Sequence, residues 1–294
     1  MTGRSQTIGM LAMLASCFAF AAMDALAKSV SDTMPGFQIA FFRVLLGWPF
    51  ILLMVWQGGV AQLRTANVKL NAWRAAVQSG SMLLFFTGLA TTPLAQVVAI
   101  EFSSPLIAVA LGALFLGDAL PLRRLAALAA GVAGLFMAVR PGFVDVGPGQ
   151  IMVIVSAGFW AATILIVRQL GRTDSSTAQL FYAALFLTPI NGIAALFVWQ
   201  TPSWADLGVM FAAASIGTAA LWLYSEALRQ ADLTAVMPLD FTKILWAALF
   251  GWLFFAEHPD AWTLAGGGVI FAAAMALTLY ERRAERSATP TSTD

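Results

Sequence analysis

Apolar residues run along this chain in stretches of span length, and polar or turn-forming residues interrupt them at regular intervals. A helix needs about 20 apolar residues to cross the hydrocarbon core of a bilayer. Ten runs meet that requirement, near 8–27, 36–56, 74–91, 94–116, 123–139, 149–170, 177–199, 205–227, 233–256 and 262–280. Each break carries turn or charge chemistry: Pro35, Thr91-Thr92-Pro93, Gly117-Asp118 with Pro121, and Arg140-Pro141-Gly142. The pattern predicts an all-α integral membrane protein of ten transmembrane helices.

The runs also repeat. A shift of 139 or 140 positions lays Phe20-Ala21-Ala22 on Trp160-Ala161-Ala162 and Lys28 on Arg168. Phe41 and Pro49 fall on Phe181 and Pro189, and Glu101-Phe102 falls on Asp240-Phe241. Gly112 and Asp118 fall on Gly251 and Glu257. Five spans per copy is an odd number, so the second copy enters the bilayer from the opposite side. The expected organisation is two inverted five-helix repeats, 1–144 and 145–280, followed by a charged, disordered tail, 281–294. Inverted repeats meeting at a central site are a layout of secondary transporters.

Lysine and arginine set the orientation. With the N-terminus in the cytoplasm, the inner side carries Arg4, Arg64, Lys69, Arg74, Arg123, Arg124, Arg168, Arg172, Arg229, Arg282, Arg283 and Arg286. The outer side carries only Lys28 and Arg140, and Arg43 and Lys243 lie within spans. Such a bias predicts both termini on the cytoplasmic side of the membrane. Arg4 and the apolar run ending at Ala19-Phe20-Ala21 resemble a secretory signal. Because that run has a repeat partner near 153–170, it is expected to remain as the first span.

Composition agrees and removes several function classes. The chain is 60% hydrophobic and 11% charged, with a mean hydropathy of +0.82. Soluble domains carry about 25% charge, so lipid is the main solvent here. A net charge of +1 speaks against nucleic acid, which needs a clustered basic face. One cysteine, Cys17, forbids an internal disulfide, and one histidine, His258, offers no metal cluster. No cofactor is expected.

Charge inside a span is expensive when it faces lipid, so it should face protein or water. The candidates are Asp24, Arg43, Glu101, Glu226, Asp240 and Lys243. Arg43 and Glu101 each lie seven residues below the outer start of their spans, roughly 10 Å deep at 1.5 Å per residue. They are therefore expected to pair. Asp240 and Lys243 stand three apart, so they share a helix face. Either pair could lock helices together, or serve a substrate. Lys243, near mid-span, is the functional candidate, positioned to receive a substrate carboxylate. Glu101 and Asp240 are also candidates for carrying a coupled proton.

Aromatics divide by depth. Trp56, Trp73, Trp199, Trp204 and Trp262 sit at span ends, as interfacial anchors do. Trp160 and Phe85 are candidates for a cavity wall, with Gln78 as a nearby polar contact. Gly131, Gly134, Gly266, Gly267 and Gly268 predict close packing of the fifth and tenth spans, against each other or in a homodimer. Pro49, Pro105, Pro189 and Pro238 could kink or end their helices.

Gly88-Leu89-Ala90-Thr91-Thr92-Pro93-Leu94-Ala95, Pro105-Leu106 and Leu116-Gly117-Asp118 resemble the EamA domain of the drug/metabolite transporter superfamily. The second half repeats the likeness as Glu226-Ala227-Leu228, Leu233-Thr234-Ala235 and Phe255-Ala256-Glu257. Arg43 fits the same pattern. The resemblance covers about residues 8–280 and implies ten helices around a cavity open alternately to each side. It extends to YddG-type exporters of aromatic and other amino acids, and to importers of riboflavin or S-adenosylmethionine. The second copy departs from the pattern in lacking a proline after Asp240-Phe241. The expected function is export of aromatic or neutral amino acids by alternating access, with Lys243, Asp240, Glu101 and Arg43 meeting a zwitterion. Uptake of a vitamin or cofactor is the alternative. An intramembrane enzyme finds no support, since no His-Glu-x-x-His, Gly-x-Ser-x-Gly or phosphate loop occurs.

Overall fold

The computed structural model describes residues 3–116, 121–140, 146–170, 173–230, 239–258 and 260–288. Among them the regular structure is entirely helical. The helices are α1 (Gly3–Ser29), α2 (Gly36–Leu45), α3 (Trp48–Gly58), α4 (Val68–Thr91), α5 (Leu94–Glu101), α6 (Ser104–Leu116), α7 (Leu122–Val139), α8 (Pro148–Leu170), α9 (Ser176–Leu196), α10 (Trp204–Gln230), α11 (Thr242–Phe255) and α12 (Ala261–Ala288). Among the described residues six stretches are long and apolar enough to cross a membrane, Thr7–Ser29, Leu94–Phe115 and Trp204–Tyr224 among these. Leu125–Val139, Thr242–Phe255 and Ala261–Leu277 are shorter apolar helices. Large apolar side chains cover much of the outside, with Trp204 90% and Phe197 84% exposed. A surface of this kind belongs in lipid.

Two of the prolines act where elementary geometry says they should. A proline has no N–H and collides with the carbonyl four residues before it. α2 ends at Leu45, four residues before Pro49, and α5 ends at Glu101, four before Pro105. Pro189 differs, lying inside a continuous α9. The second repeat breaks after Asp240 as the first does after Glu101, yet without a proline: Phe241 is a turn and α11 starts at Thr242. Helix starts are capped locally. Ser175 Oγ accepts from Ala178 N–H at 3.1 Å to open α9. Ser203 and Asp206 exchange backbone-to-side-chain hydrogen bonds of 3.0 and 3.1 Å ahead of α10. α12 continues eight residues beyond the expected end of its span, to Ala288. The expected tail is therefore helical at its start, because its Ala, Glu and Arg residues favour helix even outside lipid.

The packing follows the sequence repeat. α1 lies along α10, and α4 lies along α8. Exchanging the repeats turns one pair into the other. Single bonds obey the same exchange: Ser156 Oγ donates to the Ser81 carbonyl at 2.9 Å, and Ser16 Oγ donates to the Ala220 carbonyl at 2.8 Å. α7 packs on α12 within one chain. Gly134 and Gly266 permit this, since a Cβ on either would come 2.8 or 2.5 Å from the other's carbonyl oxygen. Pro238, Gly117-Asp118, Pro141-Gly142, Leu233-Thr234-Ala235 and Arg172 lie outside the described residues, as do residues 289–294 and the Arg168 side chain.

Candidate functional site

The break after α5 leaves Glu101 at a helix end beside α1 and α11. Lys243 occupies the first turn of α11, and its Nζ lies 2.8 Å from Glu101 Oε2 and 3.4 Å from Asp24 Oδ2. The Phe20 ring stands 5.7 Å from the same ammonium. Phe20 and Asp24 are four apart on α1 and so share its inner face. The three charged groups differ in access: the Asp24 side chain is 2% exposed, Lys243 16% and Glu101 34%. Asp24 is the sealed back of the cluster, and Glu101 is its open edge.

The expected pairs do not form. Arg43 does not reach Glu101; its Nη2 meets the Met23 thioether at 3.3 Å. Equal depth fixes one coordinate of three, and helix rotation turned Arg43 toward α1. Lys243 does not bond to Asp240 on its own chain segment. The turn at Phe241 separates them, so the helical i to i+3 geometry no longer applies. Asp240 Oδ1 instead accepts from Cys17 Sγ at 3.6 Å. The charge cluster therefore draws on α1, α5 and α11, which come from both repeats, and Arg43 of α2 lies within reach of the fields of Asp24 and Glu101.

The other candidates lie elsewhere. Phe85 is buried and meets Phe86 edge-on at 5.1 Å, as a packing residue does. Gln78 Oε1 is buried with no hydrogen-bond partner among the described residues. Trp160 is 43% exposed and has no ring partner among the described residues. Phe20 and Met23 are contacts that the pattern of polar positions passed over. Phe20 carried one signal, because the repeat offset lays it on Trp160.

At the end assigned to the outer side, Lys28 Nζ bridges Glu257 Oε1 and the Thr92 carbonyl, both at 2.5 Å. Glu257 Oε2 accepts from Leu94 N–H at 2.7 Å. At the opposite end Asp174 gathers Thr65, Asn67, Asn71 and Thr173. No group of residues able to hold a metal occurs among the described residues.

A family model described as the EamA-like transporter family matches residues 7–140 and again 147–279. The chain is 30% identical to the pseudopaline exporter CntI of Pseudomonas aeruginosa, over 92% of this chain and 95% of that one. It is 26% identical to an S-adenosylmethionine uptake transporter of Rickettsia bellii, over 96% and 97% of the two chains. It is 28% identical to a riboflavin transporter of Vibrio cholerae, over 95% of each. One solved crystal structure shares the fold with a TM-score of 0.64 at 18% identity, covering 95% of this chain and 99% of the other.

Proposed function

The chain belongs to the EamA-like transporter family, within the drug/metabolite transporter superfamily, and from that premise we propose that it exports small metabolites, foremost aromatic or neutral amino acids. Its membership makes it a multi-pass membrane transporter of small molecules rather than an enzyme. The proposed arrangement is ten spans in two inverted repeats, 1–144 and 145–280, with both termini in the cytoplasm of a bacterial cell. The reciprocal α1–α10 and α4–α8 packing supports the repeats, and the lysine and arginine bias supports the orientation. Alternating access then needs only that the two halves rock about a fixed site.

One observation carries the substrate reading: a lysine and two carboxylates meet at the junction of the repeats, with Arg43 close by. Ions of both signs away from lipid suit a molecule that bears both signs. Export would follow from loading this site at the cytoplasmic face. The names of the Rickettsia relatives support a second reading, uptake of a cofactor, by a site of the same build.

Counterflow of labelled amino acids, S-adenosylmethionine and riboflavin in proteoliposomes holding only this protein tests the assignment. Amino-acid counterflow that Lys243→Ala abolishes is the expected result. Asp24 would lose its partner in that variant, so Asp24→Asn is added to restore the folded yield without restoring transport. Counterflow of riboflavin alone would overturn the reading.

A further inference from the structure

Lys243 is the obvious receptor for a substrate carboxylate, but its charge is already spent. Two acids hold it, at 2.8 and 3.4 Å. A third carboxylate would repel both of them more than one ammonium could offset. Arg43 is different. Its guanidinium has five N–H donors in a planar fork, and its only hydrogen bond among the described residues goes to a thioether, a weak acceptor. Among the described residues no carboxylate lies within ion-pair distance of it. Asp24 and Glu101 are the acids whose fields reach it. Part of the side chain stays accessible, and no Arg43 nitrogen is both buried and unsatisfied.

Space in front of Arg43 is kept by Gly217 of α10. A Cβ there would collide with Met23 Sδ and come 3.6 Å from Arg43 Nη2. Glu101 provides the complementary charge. Among the described residues only its Oε2 is engaged, and the side chain is 34% exposed, so Oε1 is open to a donor.

Resting on the reading of a zwitterionic substrate, we propose that Arg43 binds the carboxylate of that substrate and Glu101 its ammonium, while Lys243 and Asp24 position Glu101. A planar fork matches a carboxylate with two parallel bonds, which a lysine cannot reproduce. The site should therefore read both ends of an α-amino acid.

Four probes separate the two ends: L-phenylalanine, L-phenylalaninamide, 2-phenylethylamine and 3-phenylpropionate, with the matching methionine series beside them. Ligand-induced stabilisation of the purified protein is the readout. The wild-type protein should respond most to the amino acids, weakly to the amino-free acids, and least to the amides and amines. Arg43→Lys should weaken both carboxylate-bearing classes on the order of tenfold or more, the worth of one charge-assisted hydrogen bond. Glu101→Gln should weaken the amino acids and spare the amino-free acids. Gly217→Leu, which keeps every charge, should act as Arg43→Lys does and serves if that variant folds poorly. Unchanged carboxylate binding in both variants, or amides binding as well as acids, would overturn the assignment. An Arg43-dependent response to the amino-free acids alone would sink the zwitterion reading and leave Arg43 as the anion receptor. No response to any probe would sink both.

Discussion

Two knots tie the first half of this chain to the second, and they use opposite chemistry. At one end a cation does the work. Lys28 is 8% exposed and faces Glu257 at 17%, with the Thr92 carbonyl and the Leu94 N–H completing the set. At the other end a single acid is held by neutral donors. Asp174 accepts from Thr65 Oγ1 at 2.6 Å, Asn71 Nδ2 at 2.9 Å, Thr173 Oγ1 at 3.0 Å and Asn67 Nδ2 at 3.3 Å. An ion pair has a ready substitute for each partner when it opens, since water or another ion solvates the freed charge. A carboxylate satisfied by four side chains has to lose them together. The first arrangement suits a contact that opens during transport, and the second suits a fixed joint.

The largest effect should come from removing half of the ion pair. Glu257→Gln keeps an acceptor for Leu94 N–H but leaves Lys28 buried with only a carbonyl. Truncating one partner of a buried pair costs about 3–5 kcal/mol. Thermal unfolding in detergent should show most of that loss, and adding Lys28→Met should recover much of it. If the double variant is no better than the single one, the pair carries less than its geometry implies.

How far these knots were readable from the chain varies. The sequence offered Pro49, Pro105 and Pro189 alike as kinks or helix ends, with 36–56 and 94–116 as unbroken spans; helices end four residues before the first two, while the third stays inside α9. The glycines of α7 and α12 left two partners open, each other or a second protomer, and the first is the one observed within the chain. The break at Phe241 was not readable, because no proline marks it and 233–256 looked like one span with Asp240 and Lys243 on a shared face. Lateral partners were not legible. Depth along a span follows from counting residues, but which neighbour a side chain meets depends on helix rotation and tilt. That is why Arg43 was matched to Glu101, when Lys243 holds that acid and Asp24 as well. Asp174 escaped notice because its partners are uncharged and three of them, Thr65, Asn67 and Asn71, lie more than a hundred positions away in the chain.

A middle-sized effect is expected at the fixed joint. Asp174→Asn removes the charge that four donors address, and hydrogen bonds to a charged group contribute about 1.5–3 kcal/mol. It should also change the response to acid. Burial alone would raise the Asp174 pKa, but the bonds from Thr65, Asn71, Asn67 and Thr173 outweigh burial and hold it below the ordinary 3.8. A group depressed in the folded state adds stability above its unfolded pKa and loses that stability as pH falls through the folded value. The difference in unfolding temperature between wild type and Asp174→Asn should therefore be constant at neutral pH and shrink below about pH 3.8. A difference that shrinks between pH 7 and 5 would point to another group.

The smallest effect tests how the opening knot is positioned. Ala256 sits in the left-handed region at φ 52°, closing α11 and turning the chain so that Glu257 N–H bonds to the Gly251 carbonyl at 3.0 Å. That conformation costs an L-residue roughly 1–2 kcal/mol and glycine nothing. Glycine in turn loses about 0.5–1 kcal/mol more to chain entropy on folding. Ala256→Gly should then gain roughly 0–1.5 kcal/mol while leaving the Lys28–Glu257 contact in place. The informative reading is the pair of variants together. If the turn at Ala256 serves to present Glu257, the gain from Ala256→Gly should persist in the Glu257→Gln background, because strain in a backbone turn is independent of the charge beyond it. If instead the gain disappears there, the ion pair is what holds Ala256 in its strained conformation, and opening the contact would release that strain.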